Sequence, residues 1–92
     1  MIYLSKTDKK LAIAAANAIT ILNYAEINLN NLDFSDVDIS GANLNQAFLN
    51  NTKFCRANLQ NVSFKSAWLG NVNFDGANME GVEFGERAHL QL

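Results

Sequence analysis

Residues 66–84, SAWLGNVNFDGANMEGVEF, bring Leu69, Phe74, Met79 and Phe84 at a constant spacing of five. Neither the turn of an α-helix nor the two-residue pleat of a strand gives that spacing. Followed outward, the same period covers residues 25–84 as twelve gapless pentads: AEINL NNLDF SDVDI SGANL NQAFL NNTKF CRANL QNVSF KSAWL GNVNF DGANM EGVEF. The fifth residue of every pentad is apolar: Leu29, Phe34, Ile39, Leu44, Leu49, Phe54, Leu59, Phe64, Leu69, Phe74, Met79 and Phe84. Two positions before each stand Ile27, Leu32, Val37, Ala42, Ala47, Thr52, Ala57, Val62, Ala67, Val72, Ala77 and Val82.

Two inward and three outward residues per pentad require the chain to bend once per pentad, and a closed coil then has four sides and twenty residues per turn. A second period appears at that interval. Leu29, Leu49 and Leu69 share one column; Phe34, Phe54 and Phe74 share another; Phe64 and Phe84 follow Leu44; Ile39, Leu59 and Met79 complete the fourth. Ala42-Asn43-Leu44, Ala57-Asn58-Leu59 and Ala77-Asn78-Met79 fit the pattern A(D/N)LXX nearly literally, while Ala47-Phe48-Leu49, Ala67-Trp68-Leu69 and the Val-x-Phe pentads keep only the inward pair. In this the chain resembles the pentapeptide repeat family. The resemblance implies an all-β solenoid, a right-handed quadrilateral β-helix, here of about three coils. Such coils lie one strand spacing of about 4.8 Å apart and satisfy one another's backbone groups. A central ring such as Phe54 is then worth about 3–5 kcal/mol against Ala, and Ala57→Leu would overpack at a cost of about 1–3 kcal/mol.

The outward positions stack by the same arithmetic. Asn31, Asn51 and Asn71 recur at spacing twenty and read as an amide ladder. Asp33 falls beside Lys53 and Asp36 beside Arg56, surface pairs worth roughly 0–1 kcal/mol each. The outward residue before each central position is mostly polar, yet one column reads Asn28, Phe48, Trp68. Two large rings on one outer face make Phe48 and Trp68 a candidate partner-binding face, since interface anchors are rich in aromatic residues. The structural alternative is that they shield the coil edge or lie beneath a terminal segment.

Three regions follow: residues 1–24 as an N-terminal α-helical cap, 25–84 as the repeat, and 85–92 as an irregular tail. From Thr7 or Asp8 to about Asn23 the chain reads as a helix with Leu11, Ala15, Ala18, Ile19 and Leu22 on one stripe. An open coil needs such a cover at its edge. Ile13 and Ile21 lie off that stripe and form a candidate helix interface with a second partner, either another copy or an upstream helical segment. Lys6, Lys9 and Lys10 before LAIAAANAITIL imitate a secretory leader, but Asn17 and Thr20 interrupt the apolar run, which leads straight into the repeat and is too short to span a bilayer. After Phe84 the register fails, because the next central position would be His89, with Arg87 two before it.

Function is less legible. Seven basic and nine acidic residues among 92 give a net charge of −2, without the basic field that nucleic acid attracts. A lone cysteine, Cys55, excludes an internal disulfide and fits the cytoplasm; it reads as inert, and His89 as a tail residue without ligand partners. No nucleophile triad, phosphate loop or zinc spacing is present, and exposed carboxylates such as Asp33, Asp36 and Asp38 have no means of raising their pKa. The expectation is a non-catalytic structural, interaction or spacer module with no metal, cofactor or small-molecule substrate, no direct nucleic-acid or membrane contact, and a protein partner or a second copy as its ligand. The family resemblance carries an alternative, a DNA mimic that inhibits or protects DNA gyrase, though three coils extend only about 15 Å at the strand spacing. A slighter resemblance, in Ala67-Trp68-Leu69 and in GVEFGE at 81–86, is to pentapeptide segments that precede β-propeller arrays, which implies a spacer docking its flanking domains.

Overall fold

A computed structural model describes residues 9–85 and 89–91, the last three through their backbone. Helix α1 spans Lys9–Tyr24, strand β1 Trp68–Gly70 and strand β2 His89–Gln91. Between α1 and β2 the chain retraces itself every twenty residues. Parallel bridges join Asp33, Lys53 and Asn73 on one side, Asp38, Asn58 and Asn78 on the next, Asn43, Ser63 and Glu83 on a third, and Phe48 and Trp68 on the fourth. Four sides are therefore stacked in register. Each is so short that a single residue bridges before the chain bends, and among the described residues continuous pairing is confined to β1 and β2.

The bends fall at the second residue after each central one. Glu26, Asn31, Asp36, Gln46, Asn51, Arg56, Asn61, Ser66 and Asn71 all have φ between 59 and 65°, and Gly41, Gly76 and Gly81 fill the same place. This left-handed region costs most side chains about 1–2 kcal/mol, and Asn and Gly least. Asn or Gly accordingly holds seven of these twelve corners in a chain without proline.

Accounting for the amides of one pentad explains the rest of the pattern. The central N–H donates to a carbonyl nineteen residues ahead, as Phe54 N does to Asn73 O at 2.8 Å. The second corner N–H does the same, Asn51 N to Gly70 O at 2.7 Å. The outward residue donates back to the preceding turn, Lys53 N to Leu32 O at 2.9 Å, and the inward partner closes the corner, Ala57 N to Phe54 O at 3.1 Å. Only the first corner N–H has no backbone acceptor. An Asn or Asp at the outward position accepts it two residues on: Ser35 N to Asp33 Oδ1 at 2.9 Å, Ser40 N to Asp38 Oδ1 at 3.0 Å, Gln60 N to Asn58 Oδ1 at 3.1 Å. That is the physical content of the D/N in the repeat.

The core follows the columns. Phe34, Phe54 and Phe74 pile in one file at ring spacings of 5.7 and 5.9 Å, nearly parallel, and Phe64 stacks on Phe84 at 5.8 Å. Thr52 is fully buried at an inward position, where its Oγ1 donates to Leu29 O at 2.7 Å. In the last turn Val72, Phe74, Ala77, Met79, Val82 and Phe84 are only partly buried.

Helix α1 covers the other end. Its buried face is Ala12, Ala15, Ala16 and Ile19, rotated from the stripe read in the sequence, so that Leu11, Ala18 and Leu22 are half-buried flanks. Small alanines let the helix lie close to the coil. The expected start at Thr7 or Asp8 lies outside the described residues. Asn43 N, with no coil before it, donates to Thr20 Oγ1 at 2.9 Å, and Asn23 Nδ2 donates to Asn45 O at 2.8 Å. These bonds close the strand edge on one side. Ile27 and Leu32, read as inward, are instead 46% and 41% exposed: neither has a turn above it, and, unlike Val37 and Ala42, which also begin columns, neither joins the core cluster that contains Ala15, Ala16 and Ile19 of α1.

Two further expectations are corrected. Asn31, Asn51 and Asn71 hold corner conformations, and among the described residues no hydrogen bond joins their side chains; the amide relay runs one residue earlier. The tail is not irregular throughout: β2 pairs parallel with β1, Trp68 opposite His89 and Leu69 opposite Leu90. The offset there is 21 instead of 20, so Leu90, and not His89, stands in register with Leu69.

Candidate interaction face

Phe48 and Trp68 occupy the outward position of adjacent turns and are bridge partners. They are 41% and 42% exposed. An aromatic residue at this position removes the acceptor that the first corner N–H needs, so Asn50 N and Gly70 N would be orphaned. Both are rescued from the turn before. Asn50 N donates to Asn30 Oδ1 at 2.7 Å, and Gly70 N donates to Asn50 Oδ1 at 2.8 Å. Asn45 does the same where Ser63 replaces Asn or Asp, accepting from Lys65 N at 3.0 Å and from the Ser63 hydroxyl. The sequence signal for this relay was present, since Asn30 and Asn50 precede the expected ladder by one residue, but the orphaned amide that gives it purpose is visible only in three dimensions.

The remaining faces are polar and mixed in charge. Arg56 grips Asp36 with two bonds, Nε to Oδ1 at 2.9 Å and Nη2 to Oδ2 at 3.0 Å, and Lys65 pairs with Glu83 at 3.0 Å. Asp33 and Lys53 are aligned without an ion pair between them. Hydrogen bonds from Ser35, through its side chain first and its backbone second, hold the Asp33 carboxyl below its usual range, with a smaller contribution from the Lys53 charge.

Ile13 and Ile21 are not brought to the aromatic face. They stand on the side of α1 away from the coil, each 65% exposed, while Tyr24, also exposed, reaches back to the coil, its hydroxyl accepting from Asn43 Nδ2 at 3.4 Å. Cys55 is half-buried at a corner, and the side chain of His89 lies outside the described residues. Among the described residues no three His, Cys, Asp or Glu side chains gather as a metal ion needs. No helix among them is long and apolar enough to cross a membrane.

The family model for pentapeptide repeats matches the chain in eight copies, over residues 33–67 and 57–86. The whole chain finds no match among the curated proteins or the solved structures.

Proposed function

Because the chain belongs to the pentapeptide repeat family, we propose that it is a non-catalytic interaction or spacer module, built as the family's right-handed quadrilateral β-helix, which presents Phe48 and Trp68 to a protein partner. One observation carries this reading. At the position where the fold asks for Asn or Asp, two half-exposed rings stand side by side, and the hydrogen bonds they displace are supplied by Asn30 and Asn50. Exposed apolar surface of this kind marks contact sites. No cofactor or small-molecule ligand enters the reading, and the lone Cys55 suits a cytoplasmic setting.

The DNA-mimic reading is less favoured, because Arg56 and Lys65 neutralise carboxylates on the outer faces where a mimic needs an unbroken negative array. The experiment is a comparison of the wild-type chain with Phe48→Asn/Trp68→Asn, which restores the repeat and is expected to stay folded. Proteins captured by the wild type and lost by the variant support the reading. Identical capture by both sinks it.

A further inference from the structure

We propose that Asp75-Gly76 is a covalent modification site, where the backbone isomerises through a succinimide to isoaspartate and releases a corner of the last turn. It is the single Asp-Gly pair in the chain, and no Asn-Gly pair occurs. Both residues are exposed, Asp75 as the first residue of a corner and Gly76 as the second, at φ +71°. Glycine has no Cβ to crowd its amide against the preceding carboxyl.

The step needs only these two residues and water. Gly76 N attacks Cγ of the protonated Asp75 carboxyl, and the carboxyl hydroxyl leaves as water with the amide proton. Water then opens the resulting imide. Addition at the former backbone carbonyl breaks its bond to Gly76 N, which leaves the chain running through Cγ, one methylene longer, beside a free α-carboxylate.

The structure supplies the nucleophile by leaving that amide unpaired. Ser40-Gly41 is the matched corner of the first turn. Its first amide is capped alike, Ser40 N to Asp38 Oδ1 at 3.0 Å against Asp75 N to Asn73 Oδ1 at 2.9 Å. Both corners also close alike, Ala42 N to Ile39 O at 3.0 Å and Ala77 N to Phe74 O at 2.9 Å. They differ at the second amide: Gly41 N donates to Gln60 O at 2.8 Å, whereas Gly76 N has no acceptor among the described residues. The electrophile is uncommitted as well. Asp33 and Asp38 accept corner amides and Asp36 binds Arg56, but the Asp75 carboxyl has no hydrogen bond or ion pair among the described residues.

The consequence reaches the second turn through Arg56, whose N–H donates to Asp75 O at 2.8 Å. Isomerisation turns that carbonyl into part of a free carboxylate and hangs the chain from Gly76 onward on Cγ, so the corner loses its frame. The site stands apart from the aromatic face and does not depend on it.

The test incubates the full chain for several weeks at neutral pH and reads its peptides by electron-transfer dissociation mass spectrometry, which distinguishes aspartate from isoaspartate. Isoaspartate is expected at position 75 of the wild type and is expected to be absent from Asp75→Glu, whose longer side chain disfavours the imide. Ser40→Asp sets the same dipeptide at the matched corner. In that variant position 40 is expected to convert about three- to tenfold more slowly than position 75, the factor that one hydrogen bond is worth. No isoaspartate at position 75 overturns the proposal, as does an isoaspartate signal that persists in Asp75→Glu. Conversion at position 40 as fast as at position 75, in a chain with the native far-UV circular dichroism spectrum, overturns the role given to the unpaired amide.

Discussion

Asn50→Ala tests the relay that frees the aromatic face. In the native chain Asn50 Oδ1 is the acceptor for Gly70 N–H at 2.8 Å, and both residues are half-buried. A hydrogen bond of this kind contributes about 0.5–1.5 kcal/mol, and a stranded buried donor costs about 1–3 kcal/mol. Partial exposure places the expected loss near the overlap, about 1–1.5 kcal/mol. Trp68→Asn changes the outcome, because it returns a carboxamide two residues before Gly70, the arrangement that joins Asn58 to Gln60 at 3.1 Å. In that background Asn50→Ala is expected to cost close to nothing, so the coupling across the cycle is about 1 kcal/mol. Urea unfolding followed by far-UV circular dichroism reads all four proteins; fluorescence does not serve, since Trp68 is the one tryptophan. Equal losses from Asn50→Ala in both backgrounds would refute the idea that the relay substitutes for the missing cap.

Phe54→Ala, which removes a fully buried ring between Phe34 and Phe74, is expected to cost about 3–5 kcal/mol in the same assay, and a loss under 1 kcal/mol would contradict the stacked file. Gly41→Ala, with open space around the added carbon at φ +79°, is expected to cost about 1–2 kcal/mol. Gly81→Ala, whose added carbon runs into Asn61 Oδ1, is expected to cost more, with the excess vanishing in an Asn61→Ala background. The Asp33 carboxyl is held low by Ser35, so its stabilising contribution is present above the unfolded carboxyl's pKa and is lost as pH falls through the lower folded value. Carbon-detected NMR titration should find it below an ordinary aspartate, and Ser35→Ala should move it upward.

The four-sided period was legible because five residues close one bend and twenty close one turn, so like side chains recur whatever the surface carries. What escaped was whatever depends on a neighbouring turn. Asn31, Asn51 and Asn71 share a column, but their job is a left-handed corner, and the adjacent Asn30 and Asn50 form the relay. Ile27 and Leu32 obey the inward pattern and still meet solvent, since burial needs a covering turn or helix as well as a place in the column. The face of α1 was rotated because alanines at 12 and 16 carry little hydrophobic signal yet permit the closest approach. The one-residue shift that pairs Leu69 with Leu90 was invisible because it appears only as strand register. Phe48, Trp68, Ile13 and Ile21 stood out by breaking the local rule, which is the strongest signal a regular repeat offers for something other than folding.

The amide accounting also ranks the outer faces as sites of free variation. Ten of the twelve first corner amides have a side-chain acceptor, seven from the outward residue of their own pentad and three from the turn before. Among the described residues the two without one, Cys55 and Gly85, follow Lys53, which has no acceptor, and Glu83, whose carboxylate pairs with Lys65. A non-capping residue is thus tolerated with or without help, but help is present at both aromatic positions. The relay is not peculiar to rings, since Asn45 supplies it beneath Ser63 as well, whereas Lys53 stands without one. Two consecutive asparagines at 30 and 50, each holding the amide that an aromatic residue has abandoned, keep the backbone under Phe48 and Trp68 as firmly bonded as under any Asn pentad. The rings therefore project from a backbone whose corner amides are bonded, which lowers the ordering cost of any contact they make.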